Sequence, residues 1–183
     1  MQMGLSFDKK SEIIKTLSQT QLKNLLTLFP GFTQFQVLFS SSFHSSFEVK
    51  KFHELCDGKG ASVTLITTTD GKTCGGFTSV SWQSSGGCFK KDSNAFLFSL
   101  DSPNKYKSAG KGNGEVYHKS NWGAYFGNDC LGLWSPMNKE NNGNCFANRK
   151  DYFNISKDSE GRNILTGSRN DKFTCKMVEV FKA

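Results

Sequence analysis

The sequence has no long apolar run. No window approaches the about 18 apolar residues that a membrane-spanning helix needs, and the opening MQMGLSFDKKSEIIK has neither an uninterrupted apolar segment nor a small-residue cleavage site. A transmembrane segment and secretion are therefore not expected, and a cytoplasmic location is. The sequence also lacks any C-x-x-C: its six cysteines, at 56, 74, 88, 130, 145 and 175, lie far apart, which reads as reduced thiols rather than a crosslinked framework. A basic run is missing too. The net charge is +7, but the lysines are scattered as singles and pairs such as Lys50-Lys51 and Lys90-Lys91, so a solvated basic surface is expected and a nucleic-acid partner is not.

What is present is enough for a folded core. Aromatic residues make up 13% of the chain, seventeen of them phenylalanine, far from the aromatic-poor composition of a disordered chain. At 183 residues the chain fits one domain that needs no disulfide or metal to hold it.

Residues 11–29, SEIIKTLSQTQLKNLLTLF, place Ile13, Ile14, Leu17, Leu22, Leu25, Leu26 and Phe29 at helical spacing, with Ser11 as N-cap and Pro30-Gly31 as the stop. One amphipathic helix is predicted, its apolar stripe buried on this domain or on a partner. A second short helix is predicted in SSFEVKKFHELCDGKG, with Ser45 and Glu48 as a capping box and Gly58 at its end. From Ala61 onward ASVTLITT, TCGGFTSVSW, AFLFSL, GEVYHKS, GAYFG, LGLW and FTCKMVEVF alternate with turn signals and read as strands. Asp70-Gly71 is the best hairpin signal among them. The expected fold is mainly β: a two-sheet antiparallel β-sandwich flanked by short helices, preceded by the amphipathic helix.

No catalytic, cofactor or metal site is expected from the motifs. Gly71-Lys72-Thr73 mimics the end of a phosphate-binding loop, but Ile66 stands where its first glycine belongs and a strand follows where a helix is needed. His53 and Cys56 share a helix face, yet no second pair of ligands completes a zinc site. Cys74 falls in a strand with no neighbouring cation to activate it. Asp151, Asp158 and Glu160 sit in loop-like sequence with no pairing evident. Phe77, Trp82, Phe96, Phe98, Phe126 and Trp134 fall in strand runs and read as core; a carbohydrate-binding sandwich would display some of them instead.

The order of segments carries more. LFSSSFHSSFEVKKFHELCDGKGASVTLITTTDGKTCGGFTSVSW, from Leu38 to Trp82, closely resembles the opening half of the TLDc domain family, with its Phe-His-x-x-Cys-Asp helix, Gly turn and Gly-Gly-aromatic-Thr-Ser-x-x-Trp strand. AFLFSLD, WGAYFGNDCLGLW and FTCKMVEVFKA are similar to its later strands. The resemblance points to an N-terminal helical segment over 1–35 and a TLDc-like sandwich over 36–183, and the chain looks like a short, stand-alone member. The family-motif positions are His53, Cys56, Asp57, Asp70, Gly71, Gly75, Gly76, Phe77, Trp82, Phe126, Gly127 and Glu179.

The resemblance implies a non-enzymatic interaction domain, binding subunits of the vacuolar-type proton ATPase and linked to resistance to oxidative stress. Two further expectations stand beside it: a structural component of a cytoskeletal or ciliary assembly, and a thiol-dependent peroxide-detoxifying enzyme using Cys56 or Cys74.

Overall fold

The computed structural model describes residues 6–183, and residues 1–5 of the predicted N-terminal segment lie outside it. The chain runs β1 (Ser6–Phe7), α1 (Glu12–Thr16), α2 (Gln19–Leu28), β2 (Gln34–Ser40), α3 (Val49–Cys56), β3 (Ser62–Thr68), β4 (Thr73–Thr78), β5 (Cys88–Lys90), β6 (Phe96–Ser99) and β7 (Lys105–Lys107). It continues through β8 (Val116–His118), β9 (Trp122–Phe126), β10 (Leu131–Trp134), β11 (Gly143–Asn144), β12 (Lys172–Phe173) and β13 (Cys175–Lys182). One sheet is ordered β1-β2-β13-β3-β4-β6-β7 and the other β12-β11-β10-β9-β8-β5. All pairings are antiparallel except the short parallel contact of β1 with β2. The fold is the mainly β, two-sheet sandwich that the sequence predicts.

The predicted helix over 11–29 is two helices. Ser18 breaks it with a capping box of its own: Gln21 N–H donates to Ser18 Oγ at 3.1 Å and Ser18 N–H donates to Gln21 Oε1 at 3.0 Å. The apolar stripe foreshadows the break, because the step from Leu17 to Leu22 is five positions, longer than the three or four of a continuous helical stripe. The second correction concerns Ser45. It has φ of 48° and caps nothing; the N-cap is Glu48, three residues later, and α3 starts at Val49. Its end falls where predicted, with Gly58 in the left-handed region just beyond Asp57.

Two apolar layers result. Between the sheets, Phe39, Ile66, Cys74, Leu97, Val178 and Val180 meet Val116, Ala124, Phe126, Leu131 and Leu133, and α3 adds Val49, Phe52 and Cys56. On the far side of the seven-stranded sheet, Ile13, Leu25, Leu28 and Phe29 of the N-terminal helices cover Phe35, Val63, Leu65, Phe96, Phe98 and Phe181. The N-terminal helices thus pack on their own domain, and the boundary drawn at residue 35 falls inside β2. Among the described residues no helix is long and apolar enough to cross a membrane.

Candidate functional site

β3 and β4 pair in unbroken register from Ser62↔Thr78 to Thr67↔Thr73. Gly71 N–H closes the turn on the Thr68 carbonyl at 3.1 Å, and Gly71 takes φ of 78°, a conformation that favours glycine. Along β4, Cys74 and Gly76 face the sandwich interior while Gly75 and Phe77 face the helices. Phe77 and Trp82 therefore serve different cores, and β4 needs no bulge to place them.

Trp82 lies between Phe52 and Phe126, each ring 5.5 Å away, and its Nε1–H donates to Ser62 Oγ at 2.9 Å. The Trp82 carbonyl accepts from Gly58 N–H at 3.1 Å. Asp57, at the end of α3, accepts from Ser84 N–H at 2.7 Å through Oδ2 and lies 2.7 Å from His53 Nδ1 through Oδ1. His53 Nε2 donates toward the carbonyls of Lys119 and Trp122, both at 3.0 Å. The His53-Asp57 pair thus joins α3 to the β8–β9 turn and to the segment after Trp82. Neither ring nitrogen of His53 is left to ligate a metal or to serve a nucleophile. Among the described residues no cluster of His, Cys, Asp and Glu could hold a metal.

Phe126 is buried, and Gly127, at φ of 60°, turns the chain from β9 into β10 with its N–H on the Glu115 carbonyl at 2.7 Å. Glu179, fully buried on β13, is a tether. Its carboxylate accepts from Ser11 Oγ–H, from Glu12 N–H at 2.9 Å, from Ile13 N–H at 3.3 Å and from Ser40 Oγ–H at 2.8 Å. It satisfies orphan amides at the start of α1, a role no local motif advertises.

Two buried carboxylates come together elsewhere. Asp92 accepts from Thr78 Oγ–H at 2.7 Å and Ser79 Oγ–H at 2.6 Å, and its N–H donates to Glu115 Oε2 at 2.6 Å. Both are occupied in fastening loops.

All six cysteines are free. Burial pushes the thiols of Cys56, Cys74, Cys145 and Cys175 far up, and that of Cys130 to about 11. Only Cys88 is partly exposed.

His118 is buried in contact with Trp82, its ring 5.9 Å away, and neither ring nitrogen has a hydrogen-bond partner among the described residues. Burial, then Lys90, with a smaller push from His53, lowers its pKa below 6.5 against the opposing pull of Asp57. The folded form thus holds a neutral imidazole where the unfolded chain binds a proton. Its contribution to stability is present above pH 6.5 and is lost as pH falls from 6.5 through the depressed folded value. Urea midpoints measured from pH 7.5 down to 5.5 are expected to fall more in the parent than in His118→Leu, which keeps the volume and removes the titration.

A cleft of about 610 Å³ opens where the β3–β4 turn meets the loop before β12. Lys72, Arg162, Arg169 and Lys172 line it against Asp70 and Asp158. Arg162 and Arg169 share one carboxylate, Glu160, at 2.8 and 3.7 Å. The carboxyl of exposed Asp158 is held below its ordinary range chiefly by the amide of Arg162, then that of Glu160. Of the predicted site residues only Asp70 and its neighbour Gly71 are at this cleft or its rim. The cations come from segments some ninety residues apart in the numbering, so no motif announces them.

The fold and these residues define a two-layer β-sandwich whose motif side chains tie helices and turns to the sheets. The family model of the TLDc domain matches residues 7–183, and the chain belongs to that family. The match includes both N-terminal helices. No curated protein gives a significant match to the chain.

Proposed function

We propose that this chain is a non-enzymatic interaction domain that binds a larger assembly in the cytoplasm. The vacuolar-type proton ATPase is the partner that family membership suggests, with resistance to oxidative stress the consequence. The observation that carries the reading is the employment of the motif residues: His53, Asp57, Trp82, Phe126 and Glu179 are all occupied in packing or internal hydrogen bonds. A thiol enzyme fits less well, since five of six thiols are buried with raised pKa values, which withholds the thiolate that attacks peroxide.

Tagged full-length protein, pulled down from its native cells, is expected to recover ATPase subunits. Their absence overturns the partner, and cytoskeletal or ciliary proteins in their place would put the chain in such an assembly instead.

A further inference from the structure

The two sheets are finished differently. α1 and α2 roof the seven-stranded sheet, and α3 belongs to the core between the sheets. The outer face of the six-stranded sheet carries instead a band of aromatic rings across four neighbouring strands: Phe89, Tyr117, Trp122, Tyr125 and Trp134. Successive rings touch, with centroids 4.7 Å apart for Phe89–Tyr117, 5.0 Å for Tyr117–Trp122, 4.5 Å for Trp122–Tyr125 and 5.9 Å for Trp122–Trp134. All but Tyr125 are half-buried. Trp134 does not belong to the core as its strand run suggested: Leu131 and Leu133 point inward, so Gly132 and Trp134 point out. Its Nε1 has no acceptor among the described residues.

Two lysines stand on this band, Lys119 Nζ 4.7 Å from the Trp122 ring and Lys172 Nζ 4.6 Å from the Trp134 ring. Among the described residues neither has a carboxylate within ion-pair distance. Lys172 also lines the cleft, whose other cations are balanced from within: Lys72 lies 3.5 Å from Asp101, Arg162 and Arg169 pair with Glu160, and Asp70 and Asp158 line the same wall. The positive charge without an ion-pair partner is therefore that of Lys119 and Lys172, on the band itself.

We infer that this surface, the aromatic band with Lys119 and Lys172 upon it, docks an acidic segment of a protein partner. Carboxylates of the segment pair with Lys119 and Lys172, and its apolar side chains lie along the ring edges. A nucleobase or a sugar ring is a poorer occupant, because each needs an open ring face to stack on. Here ammonium groups cover a face of both Trp122 and Trp134. The inference rests on the interaction-domain reading but does not require the ATPase.

The test uses the full chain and a short synthetic peptide of repeating Glu-Glu-Leu-Glu, followed by tryptophan fluorescence. Binding is expected to weaken with added salt and to fall at least about tenfold in Lys119→Glu/Lys172→Glu, where like charges now oppose the peptide. A charge-matched control, Lys9→Glu/Lys23→Glu, alters exposed lysines on the helix-covered side and is expected to bind like the parent; matching circular dichroism and melting of both double variants excludes misfolding. No binding, equal loss in the two double variants, or tighter binding of poly-uridine or maltoheptaose than of the peptide overturns the inference. The native-cell pull-down separates the two readings. If parent and Lys119→Glu/Lys172→Glu recover ATPase subunits equally and the peptide does not tell them apart, the ATPase reading stands and this surface falls. If the peptide discriminates between them while neither recovers the subunits, the surface stands and the ATPase falls.

Discussion

Glu179→Ala is expected to lower stability by about 3–5 kcal/mol, the cost of stranding donors that a buried carboxylate had satisfied. For a chain of this size that is a fall in Tm of roughly 10 °C. The reason is the number of groups that depend on one side chain. Two hydroxyls, Ser11 and Ser40, and two amides, Glu12 and Ile13, end on the Glu179 carboxylate. Ser11 is used twice, since its Oγ also accepts from Ile14 N–H at 3.1 Å as the N-cap of α1.

Alanine removes the acceptor and opens a cavity under α1 where water has poor access. Ile13, fully buried beside it, loses its anchor, so the first turn of α1 detaches before the sheet does. Glu179→Gln keeps one oxygen, which can still serve Glu12 N–H and Ser40 Oγ–H, and it should fall between parent and alanine. The checks are urea unfolding for the magnitude and hydrogen exchange for the place, with the Glu12 and Ile13 amides losing protection well beyond the loss in β3 or β13. An alanine variant within about 1 kcal/mol of the parent would show that the tether is not what holds α1.

Elements with a local signature were legible in the sequence. Asp70-Gly71 sits at the hairpin turn because a left-handed residue is needed there and glycine supplies it, and Gly58 ends α3 for the same reason. The strand runs emerged because apolar alternation survives even where a sheet is covered on both faces. What was not legible depends on partners distant in the chain. Ser18 outranked the continuous helix reading by finding Gln21, a competition that periodicity alone does not weigh. Ser45 lost its predicted cap to Glu48, which accepts from Ser135 Oγ–H at 2.6 Å across the molecule.

Trp134 shows the same limit at the surface. A four-residue strand has two faces, and LGLW does not say which one meets the other sheet; a register shift between Gly132 and Trp134 adds to the ambiguity. The cleft and the aromatic band were likewise invisible, because topology, not spacing, sets Lys172 beside Trp134 and Lys72 opposite Arg162. Glu179 was marked as a motif position with no role attached. Only the packing of α1 above β13 reveals one.

Gly75→Ala and Gly76→Ala are expected to differ, although the two glycines are adjacent and both buried. They face opposite layers. A Cβ at Gly76 would lie 2.6 Å from two carbons of the Phe126 ring, inside the main core. That obstacle is a side chain, so the strain is shared between a small ring movement and its neighbours, and the expected cost is about 1–3 kcal/mol. A Cβ at Gly75 would overlap the carbonyl oxygen of Thr64, on the strand paired with it. Backbone in the middle of a sheet cannot turn aside without breaking ladder bonds on β3, and β3 is itself paired to β13. Gly75→Ala should therefore cost more, at least about 3 kcal/mol, and its loss should not be rescued from the Phe126 side. The double-mutant cycle makes the distinction sharp: Phe126→Leu, which shortens the obstructing ring, should recover part of the loss in Gly76→Ala and none in Gly75→Ala. Equal costs, or rescue of both, would mean that the pair serves only to thin the strand. Unequal costs with selective rescue would establish that the two glycines admit separate neighbours, Phe126 on the inner face and the β3 backbone beside the outer one, and so set how closely β4 approaches each.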